Sequence, residues 1–169
     1  MIDLRVDDVI DALAGFVEPI CGQCQQAQAN RVPMPKGQFC ILTPLRFERL
    51  STTRSINQDT GESSTSAMGW TEVRRADIQV DIYGSGAGDR AVTLETVFSS
   101  GYAYDKIKAI DARVAPLYST AAIQAPMIDA EQQWQERYTL TVSLQVHMTA
   151  SFQQDYFDKA EITAEPVDL

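Results

Sequence analysis

The sequence predicts an α+β protein: an antiparallel β-sheet with a long β-hairpin arm and helices packed on one face. Three patterns carry this. From Trp134 to Ala150 the even positions read Trp134, Glu136, Tyr138, Leu140, Val142, Leu144, Val146, Met148 and Ala150, and every odd position is polar. From Trp70 to Tyr83 the scheme repeats, with Ala76, Ile78, Val80 and Ile82 alternating with Arg75, Asp77, Gln79 and Asp81. A strand sends successive side chains to opposite faces, so each stretch offers one face to a core and one to water or a partner. Half-polar strands of this kind belong to an antiparallel sheet covered on one side. The third pattern is helical. Ile2, Val6, Val9, Ile10, Leu13, Phe16, Val17 and Ile20 recur at three- and four-residue steps, one face of an amphipathic helix.

The chain has 169 residues, the length of one domain. Residues 1–150 are expected to form it, and residues 151–169 an acidic extension that docks in part. Lys and Arg number 14 against 23 Asp and Glu, a net charge of -9. Such a surface repels a phosphate backbone and argues against sequence-independent nucleic-acid binding, though not against DNA sliding past. No apolar run reaches membrane-spanning length, and no leader pattern opens the chain, so a protein that is cytosolic when made, or handled by a route that needs no signal, is expected.

Taken in order, Asp3 is placed to cap the first helix, and Pro19 is expected to end it at Glu18. Cys21-Gly22-Gln23-Cys24 follows, then a polar connector to Gly37. A Cys-x-x-Cys pair invites a redox reading, and Cys21, Cys24 and Cys40 with the single histidine, His147, could in number make a zinc site. The flanking pattern opposes both: helix before the pair, polar loop after it, and His147 on the polar face of the long strand. Phe39 to Thr43 reads as a buried strand interrupted by Pro44, and Leu45 to about Ile56 as a second strand. Asn57 to Ser66 contains no apolar residue and reads as a hairpin tip, from which the strand through Trp70 returns.

Gly84-Ser85-Gly86-Ala87-Gly88-Asp89 resembles a nucleotide-binding turn only in part, since Asp89 stands where the last glycine should be. A turn with Asp89 capping a helix from about Arg90 to Ser99 is the simpler expectation, with Ala91, Leu94, Val97 and Phe98 inward. A further helical turn or two is expected from Tyr102 to Ile110, then short strands or an irregular excursion over 114–119 and 121–128. The segment from Ser151 carries Asp155, Asp158, Glu161, Glu165 and Asp168 against Lys159, yet keeps Phe152, Tyr156, Phe157 and Ile162. No catalytic constellation is present, and Asp7, Asp8, Asp77 and Asp81 read as solvated carboxylates. No catalytic, cofactor or metal residue is therefore assigned, and the chain is expected not to be an enzyme.

One combination of segments carries a resemblance. An N-terminal helix precedes Ala29-Asn30-Arg31-Val32-Pro33-Met34-Pro35 and a strand with Thr43-Pro44-Leu45. A long hairpin then returns through Val80-Asp81-Ile82-Tyr83-Gly84, a helix holds Ala91 and Leu94, and Trp134-Gln135-Glu136-Arg137-Tyr138 opens the last long strand, with Tyr156-Phe157 beyond. In this order the chain resembles the neck or tail terminator proteins of tailed bacteriophages, across nearly its whole length. The resemblance implies a tail-terminator-like fold and a structural virion protein, made in the host cytoplasm. As a hexameric ring it would cap the tail tube, end its polymerisation and meet the head-side connector or adaptor. DNA would pass through the lumen without specific binding. It implies no cofactor and no membrane. Another head–tail connector or tail-completion protein stands beside it, and from a different class a small metal-binding or redox module using Cys21, Cys24 and Cys40.

Long strands with a polar tip leave backbone edges that a partner must cover. The assembly interface is accordingly expected to use Arg54, Asn57, Asp59, Gly61, Trp70, Arg74, Arg75, Phe152, Tyr156 and Phe157. Ile78, Val80, Ile82, Leu140, Val142, Leu144 and Val146 are expected in a core against a helix bearing Val9, Leu13 and Phe16.

Overall fold

A computed structural model describes residues 2–28, 35–58, 60–61, 66–128 and 132–153. The elements run α1 (Val6–Cys21), β1 (Gln23–Gln26), β2 (Phe39–Arg49), β3 (Arg54–Gln58), β4 (Ala67–Tyr83), α2 (Ala87–Phe98), α3 (Gly101–Ile110), β5 (Val114–Ser119), β6 (Ile123–Gln124), β7 (Met127–Ile128), β8 (Trp134–Gln135) and β9 (Arg137–Gln153). The main sheet has the order β1-β2-β4-β9-β5, with β3 added to β4 and β6 to β9. All pairs are antiparallel except β1 with β2. The fold is the expected α+β class, with one parallel pair at an edge.

The two long strands are its axis. β4 and β9 pair over their full length, from Ala67 opposite Gln153 to Tyr83 opposite Arg137. Ala76, Ile78, Val80, Ile82, Leu140, Val142, Leu144 and Val146 are buried in one core with Val9, Leu13 and Phe16 of α1, Leu94 and Phe98 of α2, and Ile107 of α3. The expected register and core therefore hold. Trp134 does not join them. It lies in β8, paired with β7 in a separate two-stranded sheet, and is 75% exposed.

Local chemistry moved several boundaries. Arg5, not Asp3, caps α1; the Asp8 carboxylate accepts the Arg5 backbone N–H at 2.8 Å. Asp3 instead clamps the margin of β9, donating its N–H to Thr149 O at 2.9 Å and accepting the Thr149 N–H at 2.7 Å. Pro19 lies inside α1 and does not end it. A proline there removes one helical hydrogen bond, but Cys21 beyond it is fully buried, and Gly22 N donates to Glu18 O at 3.0 Å to close the last turn. The polar connector expected from Gln25 to Gly37 starts inside a strand, since β1 covers Gln23–Gln26.

Pro44 bends a strand without ending it. β2 continues to Arg49 with a register shift between Pro44 and Arg46. Pro44 has no N–H to give to the ladder, and the extra residue, Leu45, is exposed. The bulge reverses face parity, so the core-facing series Cys40, Leu42 resumes at Phe47. The second strand expected to reach Ile56 is a separate element, β3.

Candidate assembly surface

The sheet splits into a helix-covered body and an arm beyond it. The arm is three-stranded, because β3 pairs with the first residues of β4 and β9 pairs with the other side of β4 as far as Gln153. The first residues of the segment read as an extension are thus part of the sheet. On the helix side, past the end of α1, lies an open groove of about 470 Å³. Ile2, Val6, Phe47, Trp70, Met148 and Ala150 give it apolar walls, and Arg5, Glu72 and Arg74 line it with charge. Trp70 is 40% exposed and Phe152 60% exposed, and their rings sit 5.9 Å apart at the outer end. Large aromatic groups held open on a rigid strand pair are the usual anchors of a protein interface.

Glu72 organises the groove's charge. It takes Arg49 at 2.8 Å, Arg74 at 2.6 Å and the Thr53 hydroxyl at 3.3 Å. The Arg74 hydrogen bond holds its carboxyl below the usual range against the opposing effect of burial.

The expected interface residues divide between two faces. Trp70, Arg74, Phe152 and, by its pairing with Met68, Asn57 lie on the helix side. Arg54 and Arg75 lie on the other face; Arg54 lines a second recess with Ser51, Thr53, Val73 and His147. Gly61 follows the end of β3 with a φ of 80°. Asp59, Tyr156 and Phe157 lie outside the described residues, as do positions 29–34 of the segment that carries the resemblance and positions 62–65 of the hairpin tip. Ile2 and Val6, which read as core positions, are partly exposed groove walls. Phe47 was read only as a strand residue; the bulge at Leu45 brings it here.

The face without helices is not simply solvated. Asp77 and Asp81 are buried there, which corrects their reading as solvent-facing carboxylates. Asp77 accepts the Ser143 hydroxyl at 2.6 Å and Arg46 Nε at 2.5 Å, with Arg75 Nε 3.2 Å away. Arg75 continues to Glu48 and to the Tyr118 hydroxyl at 3.1 Å. Asp81 accepts from Arg137 at 2.9 Å. Long arginine side chains roof the carboxylates, and sequence alternation cannot register such a roof. Burial by itself would raise the Asp77 carboxyl, but the Ser143 and Arg46 hydrogen bonds and the Arg75 charge together bring it below the ordinary value.

The glycine turn has an occupant from the chain itself. Gly86 N and Gly88 N each donate at 3.1 Å to the Glu136 carboxylate. A phosphate would need those same N–H groups, so the turn serves the fold. Glu136 is the one polar residue in the apolar series of the last long stretch, and this is its task. α2 begins at Ala87 behind Gly86, and Asp89 does not cap it. Arg90 adds a second tie that the sequence did not suggest, donating to Cys21 O at 2.6 Å and Tyr83 O at 2.9 Å. It fastens the C-terminal carbonyls of α1 to the end of β4.

The proposed zinc set is not assembled. Cys40 pairs with β4 at Ile82 and His147 at Val73. Nine strand residues, roughly 30 Å, separate those positions, and the two side chains belong to opposite faces. Among the described residues, no group of three or more His, Cys, Asp or Glu is placed to hold a metal ion.

The described residues present an arm with open aromatics, an apolar groove and a charged opposite face, the kind of surface that belongs to an assembly protein. The family model described as Phage neck terminator protein matches residues 7–167, and the chain belongs to that family. It is a structural protein of the phage neck, located at the tail and neck of the virion and in contact with other head–tail proteins. A search of curated proteins found no match to the chain.

Proposed function

We propose that copies of this chain form a ring, hexameric in the simplest case, that caps the tail tube, ends its polymerisation and offers its other side to the head-side connector or adaptor. The observation that carries this reading is the arm. β4 and β9 continue together beyond the body, where Trp70 and Phe152 remain exposed beside an apolar groove. A monomer gains nothing from long strands that expose edges and aromatic rings, whereas a neighbouring subunit or the tube would bury both. The arm from Arg49 to Trp70 and the segment from Phe152 to Ile162 lie on that neighbour or on the tube. The structural unit runs through Gln153, the end of β9, and the acidic stretch beyond it to residue 169 acts as its docking extension. DNA passes through the lumen unbound, in keeping with the net charge of -9. No catalysis is involved.

The test is tube length. Tail tubes assembled with wild-type protein should stop at a defined length with protein at one end. The double variant Trp70→Ser/Phe152→Ser should remain folded and leave tubes uncapped. Normal capping by that variant would reject the arm as the assembly device.

A further inference from the structure

We propose that Cys24 and Cys40 form an oxidation site: their thiols close to a disulfide that clips the edge strand β1 onto β2.

The placement comes from the sheet. β1 and β2 are parallel, and Cys24 stands directly opposite Cys40 in their register. Adjacent strands lie about 4.8 Å apart, inside the roughly 4.4–6.8 Å Cα separation that a disulfide spans. Both side chains lie on the helix-covered face, Cys40 in the core and Cys24 packed against it. The Cys24 thiol donates to Gly22 O at 3.7 Å and the Cys40 thiol to the same oxygen at 3.8 Å, so both sulfurs converge on one atom. The Cys-x-x-Cys spacing had suggested Cys21 and Cys24 as the pair. Cys21 belongs to α1 and is fully buried, and burial pushes its thiol up to about 12. What sets Cys21 apart is its placement on a helix, outside the strand register that puts Cys24 opposite Cys40.

Accessibility orders the steps. Cys24 is half-buried and Cys40 is enclosed. With a small-molecule disulfide as oxidant, the Cys24 thiolate attacks one sulfur, the S–S bond breaks, and one small thiolate leaves and takes up a proton. Cys40 then gives up its proton and attacks the Cys24 sulfur; the second small thiolate leaves and is protonated. Two protein thiols are oxidised and one small disulfide is reduced to two thiols. In the open pair the Cys24 hydrogen bond and burial raise the Cys40 thiol above the ordinary range; burial remains once Cys24 is in the mixed disulfide, so the second step speeds up as pH rises. The pair stays open under reducing conditions and closes under oxidising ones. Closure fixes β1, which the sheet otherwise holds by four paired residues along one side.

The experiment treats the folded full chain with oxidised glutathione, blocks free thiols, digests with trypsin without reduction and reads masses. Cleavage after Arg5, Arg31, Lys36 and Arg46 separates the cysteines into Val6–Arg31 and Gly37–Arg46. The two peptides should appear joined in wild type and in Cys21→Ser, and apart in Cys24→Ser and Cys40→Ser. Circular dichroism establishes that each variant is folded, and the Cys24→Ser result suffices if Cys40→Ser unfolds. No joined peptide from folded wild type, a link that survives Cys24→Ser, or a link lost in Cys21→Ser would overturn the assignment.

Discussion

The Trp70 and Phe152 rings lie 5.9 Å apart with their planes tilted by 60°. They are diagonal neighbours, since Trp70 pairs with Ala150 and Phe152 with Met68. The contact joins the returning strand of the arm to the last residues of β9, so the arm and the start of the C-terminal segment are one surface. Phe152→Ala should change monomer stability by less than about 1 kcal/mol, because the ring is largely exposed. It should weaken self-association by on the order of 10–100-fold if the ring is an interface anchor. Urea unfolding and sedimentation of the same variant separate the two effects.

The core prediction concerns stability alone. Leu144 is fully buried at the centre of β9. Leu144→Ala should cost about 2–5 kcal/mol in urea unfolding. Thr141→Ala, on the other face of the same strand and not fully buried, should cost less than about 1 kcal/mol. Equal losses at both positions would contradict a single-sided core.

Asp77 gives a pH signature. Its folded carboxyl titrates below the unfolded value of about 3.9. The folded state therefore takes up the proton less readily, and the contribution is complete above the unfolded value and is lost as pH falls through the folded one. Asp77→Asn should destabilise the protein near neutral pH by about 1–3 kcal/mol, since it leaves Arg46 and Arg75 without their carboxylate. It should also flatten the fall of stability below about pH 4. A variant with the acid sensitivity of the wild type would show that the carboxylate is not held by its partners.

Glu136 tests the reading of the glycine turn. Glu136→Ala removes the acceptor of two backbone N–H groups at the start of α2 and should cost about 1–2 kcal/mol, as loss of a helix cap does. Adding ATP should raise the melting temperature of neither wild type nor variant. Stabilisation of wild type by ATP would return the turn to nucleotide binding.

How much was legible in the sequence depends on the range of the interaction. The core face of β4 and β9 was readable because alternation is a property of each strand alone. The same alternation misplaced Asp77 and Asp81, whose burial comes from Arg46, Arg75 and Arg137 reaching across from other positions. Pro19 and Pro44 were read as stops because their local effect opposes regular structure. Burial of Cys21 overrode the first, and a bulge absorbed the second. Trp70 and Arg74 follow the alternation of their strand onto the groove side, whereas Phe152, read as part of the extension, belongs to the last residues of β9. The groove they border was hidden, because Ile2, Val6 and Phe47 reach it from two other parts of the chain.

The most direct test is electron microscopy of the purified protein, alone and with tail tubes, alongside its mass in solution. Assembly into a ring predicts a particle whose mass is a multiple of the 18.7 kDa chain, with six copies the expected number, and the same ring seated at one end of each tube. A protein that stays monomeric in the presence of tubes, and leaves their ends bare while they continue to lengthen, would contradict it.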